Sequence, residues 1–166
     1  SLSFNSTYIN GDYQIYKFEF INIHPATDNV NFQFNMSTDN GSNYNVTKTT
    51  TYFEAYHAES DAFGGIEYTV NGDLAQSTAY QDITQAVGSD ADQSCAGILT
   101  LFNPSSTTYV KHFISKFQRT SASDVAVDIS VAGYGNTTSA VNAINFKMSS
   151  GNIDAGTIKL YGLGAN

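Results

Sequence analysis

The sequence predicts an all-β protein, an antiparallel β-sandwich of the jelly-roll type without a substantial helix. Apolar and polar residues alternate along several short runs, which is the two-residue period of a β-strand. Gly, Asn and Asp turn signals separate these runs at roughly eight-to-twelve-residue intervals, as in sandwiches and jelly rolls. No stretch of about a dozen residues has the 3.6-residue period of an amphipathic helix. We expect a single domain over residues 1–166 and leave open whether it is the distal domain of a longer protein.

The most regular run covers residues 30–37. Its apolar residues share one face of the predicted strand: Val30, Phe32, Phe34 and Met36. An earlier run covers residues 13–23 and ends in the turn sequence 24–29, where Pro25 fixes φ and removes a backbone donor. Asn40-Gly41 supplies the positive φ of a tight turn at the far end. We therefore expect residues 13–23 and 30–37 to pair as a hairpin whose apolar face the rest of the chain covers.

The run 13–23 is apolar on both of its faces. One face has Tyr16, Phe18 and Phe20, and the other has Tyr13, Ile15, Ile21 and Ile23. Such a strand is typical of the centre of a covered sheet or of a subunit contact.

The remaining strands are predicted from the same signals, and they cover residues 2–9, 44–57, 66–70, 97–102, 107–118, 124–131, 141–148 and 156–163. The residues expected in the core or aligned on one strand face are Phe4, Tyr109, Phe113, Phe117, Val125, Val127, Ile129, Val131, Ile144, Phe146 and Met148. Residues 74–92 are ambiguous, since 80–83 suits a strand and 83–87 suits a single helical turn.

Composition and charge limit the classes of partner. Charged residues make up 13% of the chain, about half of the usual share, and the net charge is −8. The seven Lys and Arg residues do not cluster, which disfavours nucleic acid and anionic membranes as partners. We expect no membrane insertion, because no apolar run approaches the length of a membrane helix.

Catalytic and metal-binding motifs are weak. Cys95 is the only cysteine, and we expect it to be a small buried side chain rather than a nucleophile. The histidines, His24, His57 and His112, lie in three separate segments, so their spacing does not favour a metal site. We expect neither a metal nor a cofactor.

The carboxylates allow two further readings. Glycoside hydrolysis needs two carboxylates that face each other across a cleft, and the candidates are Glu54, Glu59, Asp61 and Glu67. Calcium needs hard oxygen ligands, which Asp90-x-Asp92 and Asp39-x-Gly41 offer. Solvated surface charges are the commoner role for such residues, so we expect the protein not to be an enzyme.

The eleven tyrosines favour binding. Tyrosine makes amphipathic contacts in paratopes and sugar-binding sites. The candidates near predicted loops or exposed strand ends are Tyr44, Tyr52, Tyr56, Tyr80 and Tyr134. The alternative is that these tyrosines fill the faces of the sheets.

Several motifs resemble those of one family. They are HPATD at residues 24–28, GSNYN at 41–45, PSSTTYVKHF at 104–113, GYxNTT at 133–138 and SSGNIDxGTIKLYG at 149–162. Taken together, over nearly the whole chain, the sequence is similar to virion structural proteins of marine tailed bacteriophages.

The resemblance implies a non-enzymatic component of a virion, located on a tail fibre or on the capsid surface. It also implies a homotrimer, with contacts to other virion proteins and to a host-surface glycan or protein receptor. We therefore expect a tail-fibre or receptor-binding domain that mediates host attachment. The alternatives are a capsid decoration or head-fibre protein, and a free carbohydrate-binding module or small glycan-cleaving enzyme.

Overall fold

A computed structural model describes residues 1–165, and that part of the chain consists of strands and connections without a helix. The strands are β1 Leu2–Phe4, β2 Tyr13–Pro25, β3 Val30–Ser37, β4 Lys48–Ala58, β5 Gly64–Tyr68, β6 Gln81–Val87, β7 Cys95–Phe102, β8 Lys111–Thr120, β9 Val125–Gly135, β10 Ala143–Met148 and β11 Ile153–Ala165. Every pairing between neighbouring strands is antiparallel.

The strands form two facing sheets with jelly-roll connections. One sheet has four strands in the order β1-β10-β3-β6, and the other has seven in the order β11-β2-β7-β8-β9-β4-β5. The chain changes sheet at each step from β1 to β4, and β10 returns to lie beside β1. The meander β7-β8-β9 occupies the place of one strand in a jelly roll of about eight strands. The predicted fold class is therefore confirmed.

The predicted hairpin of residues 13–23 and 30–37 is wrong. β2 pairs with β11 and β7 in the larger sheet, whereas β3 pairs with β10 and β6 in the smaller one. Both strands have a row of aromatic residues, and opposite sheets bring these rows face to face. The ring centroids of Phe20 and Phe32 are 5.5 Å apart. Pro25 belongs to the end of β2, not to the turn.

The exposed side of β2 is not covered by the described chain. Tyr16, Phe18 and Phe20 are buried as predicted, whereas Tyr13 and Ile21 are exposed. Ile23 was predicted on the outer face and is buried instead. A bulge with Asn22 at φ 49° shifts the register after Phe20 and turns Ile23 inward.

Other boundaries differ from the prediction where turns interrupt the runs. The first strand ends at Phe4, and the strand predicted from residue 44 begins at Lys48. Tyr109 is exposed in the connection before β8. The ambiguous segment forms the single strand β6 and has no helical turn. The alternation of residues 125–131 is confirmed, with Val125, Val127, Ile129 and Val131 buried.

A cluster of phenylalanine rings fills the space between the sheets. Phe146 on β10 lies at its centre, with centroid distances of 5.1 Å to Phe18 and 5.0 Å to Phe20. Both of these pairs are edge-to-face, a geometry worth about 0.5–1.5 kcal/mol per pair beyond the burial of area. Phe146 also contacts Phe4 and Phe32 from its own sheet. The cluster therefore joins strands of both sheets through one side chain.

Two lysines are buried in the interior away from this cluster. The Lys48 Nζ donates hydrogen bonds to Asn35 Oδ1 at 2.6 Å and to the Val46 carbonyl at 2.7 Å. The Lys111 Nζ donates to the carbonyls of Tyr109 and Thr137. Burial lowers the pKa of Lys48 to about 7. Both amino groups donate to neutral oxygens and have no carboxylate among these partners. The hydrogen bonds to backbone carbonyls tie the neighbouring loops to the strands that carry the lysines.

Replacing Phe146 with alanine tests the ring cluster. We expect Phe146→Ala to lower the free energy of unfolding by about 3–5 kcal/mol, because it opens a cavity between the sheets. Tyr109→Ala, at an exposed ring, should change it by only about 0.5 kcal/mol. Urea unfolding measures both values. Equal losses for the two variants would show that the cluster does not join the sheets.

Candidate functional site

The five tyrosines predicted to bind a partner do not form one site. Tyr52 does not lie at a loop or an exposed strand end as expected, because it is an inward residue of β4 and is fully buried. Tyr44 and Tyr80 lie near each other beside the four-stranded sheet. The Tyr80 hydroxyl donates to Asn145 Oδ1 at 3.0 Å, and the Lys147 Nζ lies 4.4 Å from the Tyr80 ring centroid.

The remaining two tyrosines lie on opposite sides of the seven-stranded sheet. Tyr134 is on its outer side beside His112, with ring centroids 6.4 Å apart. Tyr56 is partly buried on the inner side, where it packs against the core. Tyr56 also lines a pocket that contains the buried charged groups Glu54 and Arg119.

The three histidines remain in separate places. His24 Nδ1 lies 2.7 Å from Asp154 Oδ1 in a cleft of about 530 Å³, and hydrogen bonding to this carboxylate raises the pKa of His24. His57 Nε2 lies 3.0 Å from the exposed Asp61. Among the described residues, no group of three or more His, Cys, Asp and Glu side chains is placed to hold a metal ion.

The Asp39 carboxylate holds a turn together. It accepts hydrogen bonds from the Ser37 hydroxyl at 2.6 Å and from the backbone and side-chain nitrogens of Asn43. These hydrogen bonds, of which the one from Ser37 has the largest effect, lower the pKa of Asp39 to about 2.

Cys95, the cysteine of β7, is buried as predicted.

A pocket of about 260 Å³ opens between the sheets where the four-stranded sheet ends at β6. We call it the Glu54 pocket. Its walls come from β4, β5, β6, β8, β9 and the loops beside them, and it is lined by Glu54, Tyr56, Phe63, Glu67, Ala86, Arg119, Ser121, Val125 and Val127. Of the four carboxylates considered for hydrolysis, the pocket brings together Glu54 and Glu67, whereas Glu59 and Asp61 are exposed outside it.

Glu54 and Arg119 face each other in this pocket without a hydrogen bond. Arg119 is only 6% exposed, and its Nη2 lies 4.0 Å from Glu54 Oε2. Its Nη1 donates to the Ala86 carbonyl at 3.4 Å, but its Nε has no hydrogen-bond partner among the described residues. Glu54 Oε2 likewise accepts no hydrogen bond from residues 1–165, although more than about 90% of buried polar groups in proteins are hydrogen-bonded.

The buried Tyr52 hydroxyl adds to this polar cluster. It has no hydrogen bond of ordinary geometry, although it lies near the backbone of Gln85. Burial, together with the charge of Glu54, raises the pKa of Tyr52, which keeps the phenol neutral. The interior next to the pocket therefore combines a neutral hydroxyl, a guanidinium and a carboxyl group.

Glu67 on β5 lies directly across the strand pair from Glu54. Side chains at such positions have Cβ atoms about 4.5–5.5 Å apart. Burial is the main cause that raises the pKa of Glu54, and the negative charge of Glu67 raises it further. Arg119 acts in the opposite direction and only partly offsets these effects. The pair thus consists of one partly buried carboxyl group with a raised pKa and one exposed carboxyl group at the mouth.

The other side of the pocket is apolar. The rings of Tyr56 and Phe63 lie 6.3 Å apart, tilted by 59°. Phe63 is 55% exposed at the rim, and Val125 and Val127 of β9 are buried below it. The pocket therefore has a charged, hydrogen-bonding side and an aromatic and aliphatic side.

Sequence reasoning missed Arg119 because the strand was expected to end at residue 118. The signal was present, since the inward alternation of Phe113, Ser115 and Phe117 continues to Arg119. Alternation alone does not predict an inward arginine, because arginine is seldom buried without a charged partner.

The outer side of the seven-stranded sheet has a second notable surface. Seven of the exposed large side chains on this side define what we call the outer apolar face: Phe53, Ile66, Tyr68, Ile98, Ile114, Tyr161 and Leu163. It includes a groove of about 480 Å³ beside Tyr134. Lys17 pairs with Glu19 and Lys116 with Asp128, each at 2.8 Å, and Lys159 lies beside Glu19 on β11.

Comparison of the chain with protein-family models, with curated proteins and with solved structures finds no match. In residues 1–165 there is also no helix long and apolar enough to cross a membrane. The chemistry of these two surfaces is therefore what bears on function.

The acidity of Glu54 can be measured directly. We expect a carbon-13 NMR titration to give Glu54 a pKa above its ordinary value of 4.5, and Glu67→Gln to lower it. Because the folded-state pKa exceeds the unfolded one, Glu54 stabilises the fold most below pH 4.5 and loses that contribution as the pH rises through the folded-state pKa. Glu54→Gln identifies the resonance. A pKa at or below 4.5 would contradict the buried geometry.

Proposed function

We propose that this chain is a structural protein of a tailed-bacteriophage virion, a tail-fibre or receptor-binding domain that attaches the particle to its host as a homotrimer. The motif resemblance over about residues 13–163 supports the virion assignment. The β-sandwich suits a binding module, since its loops and faces present contacts on a rigid framework. The single observation on which the proposal rests most is the outer apolar face.

The composition of the outer apolar face supports self-association. Single exposed hydrophobic residues are ordinary on protein surfaces, but a face with seven of them is typical of an interaction site. Ile114, which is 56% exposed, lies on β8 near the middle of the sheet. Covering this face with copies of the chain would bury these side chains.

Charge also supports contacts between copies. The chain has 15 acidic residues against 7 Lys and Arg, so most of its surface repels a second copy. The outer apolar face is closer to balance, because Lys17, Lys116 and Lys159 stand there against Glu19, Asp128 and Asp73, whose carboxylate accepts from Tyr68. Repulsion between two copies is therefore weaker on this face than the net charge of the chain implies.

A trimer would favour an attachment role, because avidity strengthens the binding of weak receptor sites. Three copies of one weak receptor site bind a host surface far more tightly than one copy does. A capsid decoration or head-fibre protein is the alternative within the same class. A free carbohydrate-binding module or a glycan-cleaving enzyme is the alternative outside it, and the Glu54 and Glu67 pair is the observation that favours the enzyme.

Light scattering coupled to size exclusion tests the trimer. We expect a mass three times 17.9 kDa for the native chain and a single-chain mass for Ile114→Asp, because a charge at this position opposes burial of the face. Tyr8→Asp, at an exposed ring in the connection before β2, is the control that keeps the trimer. A native monomer, or a trimer unaffected by Ile114→Asp, would contradict the proposed interface.

Electron cryo-microscopy of the particle tests the location. We expect density for this domain at the distal end of a tail fibre. Density on the capsid lattice and none on the tail would replace the attachment role with that of a decoration protein.

A further inference from the structure

The Glu54 pocket has unmet hydrogen-bonding capacity of both kinds. Arg119 has an unused donor at Nε, and Glu54 has an unused acceptor at Oε2. Both atoms are closed to solvent, so a ligand would reach them only by displacing the two side chains, whose Nη2 and Oε2 atoms are 4.0 Å apart. A group that both accepts and donates hydrogen bonds would satisfy the Arg119 donor and the Glu54 acceptor, and a hydroxyl is such a group.

Charge narrows the class of ligand. An anion would meet two carboxylates, Glu54 and Glu67, against one guanidinium. A metal cation or an amine would meet the buried Arg119 guanidinium. Among the described residues, no group of three His, Cys, Asp or Glu side chains is placed to hold a metal ion either. A neutral ligand with several hydroxyls avoids both conflicts and still uses the charged groups, because hydrogen bonds to charged groups are stronger than those between neutral groups.

The shape and size of the Glu54 pocket narrow the class of ligand further. The rings of Tyr56 and Phe63 and the side chains of Val125 and Val127 offer a surface for C–H groups, as on one face of a sugar ring. The volume of about 260 Å³ lies just below the ~300 Å³ at which pockets for drug-sized ligands begin. The pocket therefore suits one ring of an oligosaccharide.

We propose that the Glu54 pocket binds one neutral sugar ring of a surface glycan, between the Glu54, Glu67 and Arg119 side and the Tyr56 and Phe63 side. Glu67 accepts from hydroxyls at the mouth, Arg119 donates from the interior, and the rings contact the C–H face. This site deepens the proposed attachment function, on which it rests only for the source of the glycan.

An NMR titration of the full chain with separate monosaccharides tests the site. The panel contains neutral hexoses, deoxyhexoses and N-acetylhexosamines, with a uronic acid and a positively charged amino sugar as comparators. We expect a neutral sugar at millimolar concentration to shift the amide signals of Phe63, Ala86 and Val127. The charged comparators should bind more weakly.

Variants at the mouth keep the test independent of folding, because Phe63 and Glu67 are exposed. We expect Phe63→Ala and Glu67→Gln each to weaken binding about tenfold, the effect of ~1.4 kcal/mol. The matched controls are Tyr109→Ala and Glu59→Gln, which alter an exposed ring and an exposed carboxylate outside the pocket and should leave affinity within about twofold.

Three results would overturn the site: no shift with any neutral sugar, shifts confined to residues outside the pocket, or equal losses in variants and controls. These results are separate from those that test the proposed function, since a monomer or a capsid location leaves sugar binding unaffected. Cleavage of an oligosaccharide that Glu54→Gln abolishes would keep the site and overturn the non-enzymatic function.

Discussion

Edge-to-face packing of phenylalanine rings across the sandwich is the interaction on which the rest of the structure depends. Phe146 on the smaller sheet meets Phe18 and Phe20 on the larger one, and Phe34 meets Phe113 at 4.9 Å. These contacts fix which face of each strand points inward. Because side chains alternate along a strand, the same contacts decide which residues remain on the outside.

The unequal width of the two sheets explains where the two candidate surfaces lie. Seven strands face four, and the smaller sheet ends at β6, with Ala86 forming one wall of the Glu54 pocket. Beyond that edge no strand of the described chain opposes the inner side of β4 and β5, so Glu54 and Glu67 can occupy inward positions. No described element covers the outer side of the wide sheet either, which leaves Ile114 and its neighbours exposed. A sandwich whose two sheets had the same number of strands would not leave the inner side of β4 and β5 unopposed.

The strands were predictable from alternation, but their partners were not. The period of two placed Phe32 and Phe146 correctly, yet it is the same whether two strands share a sheet or face each other, so β2 and β3 were paired wrongly. Tyr52 was expected at a surface because tyrosine suits both environments, and only the position of its strand decides between them. The pairing of Glu54 with Glu67 depends on the register of β4 and β5, which local sequence does not determine.

Native-state hydrogen exchange tests most directly the claim that the ring cluster holds the sheets together and that the pocket lies beyond its reach. The account predicts that amides of β3 and β10 exchange only through global unfolding, with a free energy equal to that from denaturation. Amides of β5, at the pocket mouth, should exchange through local opening at a clearly lower free energy. Equal protection of β5 and β10, or exchange of β10 by local opening, would contradict the account.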